Sequence, residues 1–202
     1  GCGPFQTKIV LAQKIIRLLA LPIPCKLYVL ADSWYWAKTL AQVCRKCGYH
    51  MISQLKSNSV LWIHGKKTSV TTLLDLVSSY RAVSLFVYGK TKTLRIAKFI
   101  GDIKGVGKVA VVVVKQKRKK PIYLVCTNIH LPAIDIIKYY AKRWKIEQMI
   151  KDLKQRLGFG DYQVRDLQAI QRHVALVLLS YFVLILLKIL QWLKDKNISL
   201  NL

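Results

Sequence analysis

The sequence predicts an α/β fold: a strand–helix–strand unit, then a run of antiparallel strands, then long helices. Three observations carry this. Lys26 to Leu55 alternates strand-forming and helix-periodic stretches. Leu61 to Asn128 breaks into short apolar runs separated by basic or glycine-bearing turns. From Leu131 onward the apolar period is helical. The chain has 202 residues, 53% of them hydrophobic, which is enough for a packed core and excludes a disordered chain.

In order along the chain, Thr7 to Leu21 carries Ile9, Val10, Ile15, Ile16 and Leu19 at helical spacing and should end at Pro22 and Pro24. Lys26 to Ala31 is an apolar run rich in strand formers and places Asp32 at its C-terminal end. A helix is expected from Trp34 to Cys47, stopping at Gly48, with Asp32-Ser33 as its N-cap. Asp32 therefore has two compatible readings. One is a helix cap; the other is a metal-ligating carboxylate at a strand terminus, where open α/β sheets place ligands. Tyr49 to Leu55 reads as a second strand, followed by a turn at Ser57 to Ser59.

The middle of the chain should be a strand meander through Val83–Tyr88, Leu94–Ile100, Val109–Val114 and Ile122–Cys126. Its turns are expected at Gly89-Lys90, Gly101–Gly107 and Gln116–Pro121. The last turn holds Lys117, Arg118, Lys119 and Lys120, readable as a solvated hairpin tip or as contacts to a phosphate backbone. One helix is then expected from Leu131-Pro132 to Leu157, stopped by Gly158. A further helix starts near Gln168, and its apolar stretch Val174–Leu187 is 14 residues by count, the length of a buried core helix and short of a membrane span.

Charge limits the partners. The net charge is +25, from 34 basic and 9 acidic residues. Such an excess repels itself unless a polyanion meets it, so nucleic acid is the first candidate and an anionic membrane surface the second. Five scattered cysteines read as reduced thiols of a cytosolic protein. Cys44 and Cys47, with His50, lack the second pair that a closed zinc site requires. His64, His130 and His173 have no Ser or Cys partner at a recognisable spacing, so a hydrolase triad is unsupported. Trp34, Trp36 and Trp144 flank the candidate acids, with core packing as their expected role and base stacking as the alternative. The chain begins at Gly1 without a signal-peptide pattern, which reads as a piece of a longer protein.

The most informative stretch is Tyr139 to Arg156, YYAKRWKIEQMIKDLKQR. Tyr140, Arg143, Glu147 and Lys154 stand three, four and seven residues apart, which on a continuous helix is one stripe. Glu147 is the only Glu in the sequence and sits among basic residues. One carboxylate in a basic field suits a metal ion held against a phosphate; a solvated basic helix with i,i+4 ion pairs is the bland alternative.

This helix resembles the Y-R-E-K signature of bacterial insertion-sequence transposases of the Asp-Asp-Glu class, matching at all four positions. Leu157–Leu176 and the LYVLADSWY segment, Leu27–Tyr35, are also similar to that family. The resemblance implies an RNase H-like catalytic core, incomplete at its N-terminus, with an inserted β-rich subdomain and C-terminal helices. Residues 1–60 would carry the second Asp, 61–128 the insertion, and 129–202 the helices with the catalytic Glu. It implies that Asp32 and Glu147 are catalytic and ligate Mg²⁺ or Mn²⁺, two ions in the complete protein. Tyr140, Arg143 and Lys154 would hold phosphate near the scissile end. The implied partners are double-stranded transposon-end and target DNA and a second copy of the chain, with no membrane, in the bacterial cytoplasm. In the family an earlier strand supplies a first Asp, yet Gly1–Ala31 contains neither Asp nor Glu. The expectation is thus part of a transposase lacking one acid and inactive alone. A decayed, non-catalytic DNA-binding remnant is the alternative, and a membrane-associated basic protein a more distant one.

Overall fold

The computed structural model describes residues 5–19 and 26–195. These divide into two compact units, one ending at Arg143 and the other beginning at Trp144. Pro22 and Pro24, expected to end the first helix, lie outside the described residues.

The first unit is built on an eight-stranded sheet. Its strands are β1 (Tyr28–Ala31), β2 (His50–Gln54), β3 (Val60–Ile63), β4 (Lys66–Ser69), β5 (Arg81–Val87), β6 (Lys90–Ile103), β7 (Gly107–Lys115) and β8 (Ile122–Cys126). The order is β1-β2-β8-β7-β6-β3-β4, with β5 paired to β6. β1 and β2 are parallel, with Ala31 opposite Ser53, and helix α2 (Lys38–Lys46) connects them; every other pairing is antiparallel. The expected strands are therefore present, and the strands of residues 60–126 are continuous with β1 and β2 in one sheet.

Both faces of this sheet are covered at β7, and the strand records the fact in its sequence. Val109, Val111 and Val113 enter a core shared with α2 and with α1 (Lys8–Leu18), through Ile16, Leu40, Ala41 and Cys44. Ala110, Val112 and Val114 enter an opposite core with Ile136, Ile137 and Tyr140 of α3 (Ala133–Lys142). A strand buried on both faces has no polar side to show, hence the unbroken valine run. β1 is the terminal strand, mostly half-buried, and its outer edge pairs with no strand among the described residues.

Several boundaries differ from the sequence reading. α2 starts at Lys38, not Trp34; residues 32–37 form a turn ahead of it, so Asp32 caps that turn and not the helix. Gly101 lies inside β6 and not in a turn. A Cβ there would stand 2.7 Å from Leu61 Cδ1 and 2.9 Å from the Trp62 carbonyl oxygen, so glycine admits β3. The hairpin β3–β4 turns through His64-Gly65, both with positive φ.

The single helix expected from Leu131 to Leu157 is two helices, α3 and α4 (Trp144–Arg156). The ladder breaks at Arg143, whose N–H bonds to the Tyr140 carbonyl three residues back, a 3₁₀-type contact.

The second unit holds α4 and α5 (Leu167–Asp195), the latter started by Asp166, whose Oδ2 accepts the Ala169 N–H at 2.7 Å. α5 was expected as a buried core helix, yet of its residues only Val177 is buried. The reason is geometric: α4, 13 residues or about 20 Å, cannot cover a helix of 29 residues or about 43 Å. By length and composition α5 also reaches the size of a membrane span, so the 14-residue argument against one does not hold.

Candidate active site

Asp32 follows β1 directly, at the carboxyl end of two parallel strands. Its Oδ1 accepts the N–H of Trp34 at 2.9 Å and of Tyr35 at 3.3 Å. Its carbonyl accepts the hydroxyl of Ser53, a fully buried residue of β2, at 2.9 Å. These bonds fix the carboxylate relative to the sheet. Among the described residues Oδ2 accepts no hydrogen bond, which leaves an oxygen for a cation or water.

Beside Asp32 an open cleft of about 630 Å³ is lined by Ser33, Gln54, Lys56, Asn58, Lys120 and Tyr123. Trp34 stands 81% exposed, with the Lys56 ammonium 5.3 Å from its ring centre. Core packing was the expectation for three tryptophans; Trp36 meets it in part, while Trp34 and Trp144 are exposed.

The structure brings Tyr140 to the same strand ends. Its hydroxyl donates to Gln54 Oε1 at 3.4 Å, and the Arg143 guanidinium lies 5.6 Å from its ring centre. Tyr140 also shares a cavity of about 100 Å³ with Lys92, Lys119 and Lys120. Thus Asp32, Tyr140, Arg143 and part of the Lys117–Lys120 turn gather through β2 and α3 in the first unit. Lys117 and Arg118 are exposed at the hairpin tip, where Arg118 has φ +59°.

Glu147 and Lys154 belong to the second unit. Both are exposed on α4, seven residues apart and on one face, with Glu147 in the first turn and Lys154 in the last, as the helix dipole favours. Arg156 pairs with Asp152 at 3.6 Å. The stripe is therefore carried on two helices and not on one.

The sequence reading missed Gln54, Lys56 and Asn58. The available signal was position: Gln54 ends the second parallel strand and Lys56 and Asn58 follow it, where the cleft of an open sheet must lie. His173 has a local role, with Nε2 3.0 Å from the Gly158 carbonyl and its ring edge-on to Tyr162. Cys44, Cys47 and Cys126 are free thiols; Cys2 and Cys25 lie outside the described residues. Burial pushes the Cys44 and Cys126 thiols up to about 11. Among the described residues no three His, Cys, Asp or Glu side chains gather into a metal cage. The donor chemistry still suits Mg²⁺, which is commonly held by one or two carboxylates plus waters and substrate phosphate.

The site is an α/β sheet with a fixed carboxylate at its strand ends and the basic groups Lys56 and Lys120 along the cleft. The family model of the transposase DDE domain matches residues 9–183, and the chain belongs to that family. No curated protein matches it.

Proposed function

We propose that this chain is part of a transposase that binds transposon-end DNA, cleaves strands with a divalent metal, and joins the freed 3′-hydroxyl to target DNA. The observation that carries this reading is Asp32: an acid pinned by backbone amides at the open end of parallel strands, inside a family match that spans both Asp32 and Glu147. Asp32 and Glu147 would hold Mg²⁺ or Mn²⁺, which when bound activates water and polarises phosphate. Tyr140, Arg143 and Lys154 would orient the scissile phosphate. Lys117, Arg118, Lys119 and Lys120 would hold the duplex through its backbone. The fold would be an RNase H-like core with the strands of residues 61–128 as its insertion, acting as a homodimer in the bacterial cytoplasm.

The first acid is absent from Gly1–Ala31, so this chain alone should not cut DNA. Among the described residues the outer edge of β1 pairs with no strand, which is where a strand bearing that acid would add. In a chain that carries it, Glu147→Gln should lower nicking of supercoiled plasmid with Mg²⁺ by more than about a hundredfold, exceeding the usual loss of an outer-shell partner. DNA binding should persist, because Gln keeps the size and the hydrogen bonding. Full nicking by Glu147→Gln would remove Glu147 from the chemistry.

We further propose that α5 does not enter lipid. The family match runs to residue 183, so the helix is in part shared with the catalytic domain. In bacterial cells the chain should leave washed membranes on carbonate extraction; retention in the pellet would reverse this assignment.

A further inference from the structure

We propose that the outer face of the β5–β6 hairpin is a second DNA-docking surface, separate from the cleft at Asp32, with duplex DNA as its occupant. This rests on the DNA-binding reading above. β5 pairs with β6 along its whole length, from Arg81 opposite Ile96 to Val87 opposite Lys90. β7 joins β6 only from Lys115, opposite Arg95. Residues 83–87 and 90–94 therefore form a two-stranded ribbon that runs about 17 Å past the end of β7. A ribbon of this width is one of the two elements that a DNA major groove admits.

The two faces of the ribbon differ. Val83, Leu85, Val87, Leu94 and Ile96 turn to the core under α3. The opposite face is exposed and carries Ser84, Phe86, Thr91, Thr93 and Arg95, with Phe86 73% exposed. Arg95 and Lys115 stand directly across the ladder from each other, and both are exposed. Like charges directly opposed destabilise a sheet. Among the described residues neither has a carboxylate partner, while Lys115 lies 5.3 Å from the Tyr80 ring centre. Two opposed cations flanked by three hydroxyl side chains form a strip of phosphate donors, and an anion between the cations would relieve their repulsion. The net charge of +25 makes a polyanion the complementary partner. Phe86, an apolar ring near the hairpin turn, is placed to press on sugars or base edges in the groove.

The test is fluorescence anisotropy of a short mixed-sequence duplex against the full chain over a range of salt. Arg95→Ala with Lys115→Ala should weaken binding and make the slope of log K against log salt shallower by about two, one for each lost phosphate contact. Phe86→Ser should weaken binding and leave the slope unchanged. Lys8→Ala with Lys14→Ala, on α1, removes equal charge and should change the slope by much less. The melting temperature of the Arg95/Lys115 variant should equal or exceed that of the parent, since a repulsion is removed, which separates lost contact from lost fold. If the parent chain binds with a steep salt slope and the ribbon variants bind equally well, or the α1 variant loses as much as they do, the ribbon proposal fails while the DNA reading stands. If the parent shows no salt-dependent duplex binding, the DNA reading itself fails. Binding to phosphatidylserine vesicles that needs Phe86, without duplex binding, would assign the ribbon to a membrane surface and overturn the proposal.

Discussion

Helices α3 and α5 are both apolar, yet they meet opposite fates. α3 has ten residues and buries Ile136, Ile137 and Tyr140 against the sheet; α5 has 29 residues and buries Val177 alone. The difference lies in what each unit offers. The first unit has a wide sheet whose two faces take side chains alternately, so a helix laid on either face finds a complete partner. The second unit offers α4, which covers less than half the length of α5. Hydrophobicity in a sequence states a demand for burial and says nothing of the surface that satisfies it. The two acids follow the same division. Asp32 is held by backbone amides and by Ser53, while Glu147 rides on an exposed helix face.

The contrast is open to direct attack by truncation. Ile136→Ala removes a fully buried side chain and should cost about 2–5 kcal/mol of unfolding free energy. Leu179→Ala, at a position 57% exposed on α5, should change it by no more than about 0.5 kcal/mol. Urea titration followed by circular dichroism measures both. A large loss at Leu179 would mean that α5 is covered in solution, by a second copy or by another segment, and the contrast would collapse.

A smaller effect probes how tightly the sheet of the first unit is closed. At Gly101→Ala the new Cβ meets Leu61 and the backbone of β3, so the β3–β4 hairpin must shift. The expected cost is about 1–3 kcal/mol, the usual range for overpacking. A neutral substitution would show that β3 is free to move away from β6, and that the first unit is looser than its buried valines imply.

Much of the first unit was legible because local chemistry and tertiary demand agree there. The valine run of β7, the strand ahead of Asp32 and the glycine after α2 each match the position they take. Failures occurred where they diverge. No proline or glycine marks the break at Arg143, because the chain there is still helix-forming and only the hydrogen-bond spacing changes. The turn after Asp32 was read as helix because an N-cap signature does not say how many residues separate the cap from the first full turn. Of the candidate site, the residue types and spacing were readable, but not the division of Tyr140 and Arg143 from Glu147 and Lys154 between two units. Gln54 went unnoticed because an uncharged residue is marked only by its position at a strand end and not by its type.

The gentlest probe of the comparison uses thiol chemistry, since no cysteine lies between Trp144 and Leu202 and thiols therefore report on the first unit alone. Cys44 lies in the core under α2 and Cys126 in the core under α3, so each guards one face of the sheet. Burial raises both to about 11. Only a thiolate attacks an alkylating reagent, so at pH 8 both should react far more slowly than the partly exposed Cys47. In a chain with Cys2→Ser and Cys25→Ser, mass spectrometry after iodoacetamide should find Cys47 modified first, and the other two only on unfolding. The raised values also set a pH dependence. Below about 9 both thiols are protonated folded and unfolded, so they leave stability unchanged. As pH rises from about 9 to about 11 the unfolded chain releases these protons first, and the first unit loses stability across that window. Fast modification of Cys126 at pH 8 with Cys44 protected would show that the α3 face opens on its own. In that case α3 would resemble α5 more closely than its buried side chains indicate.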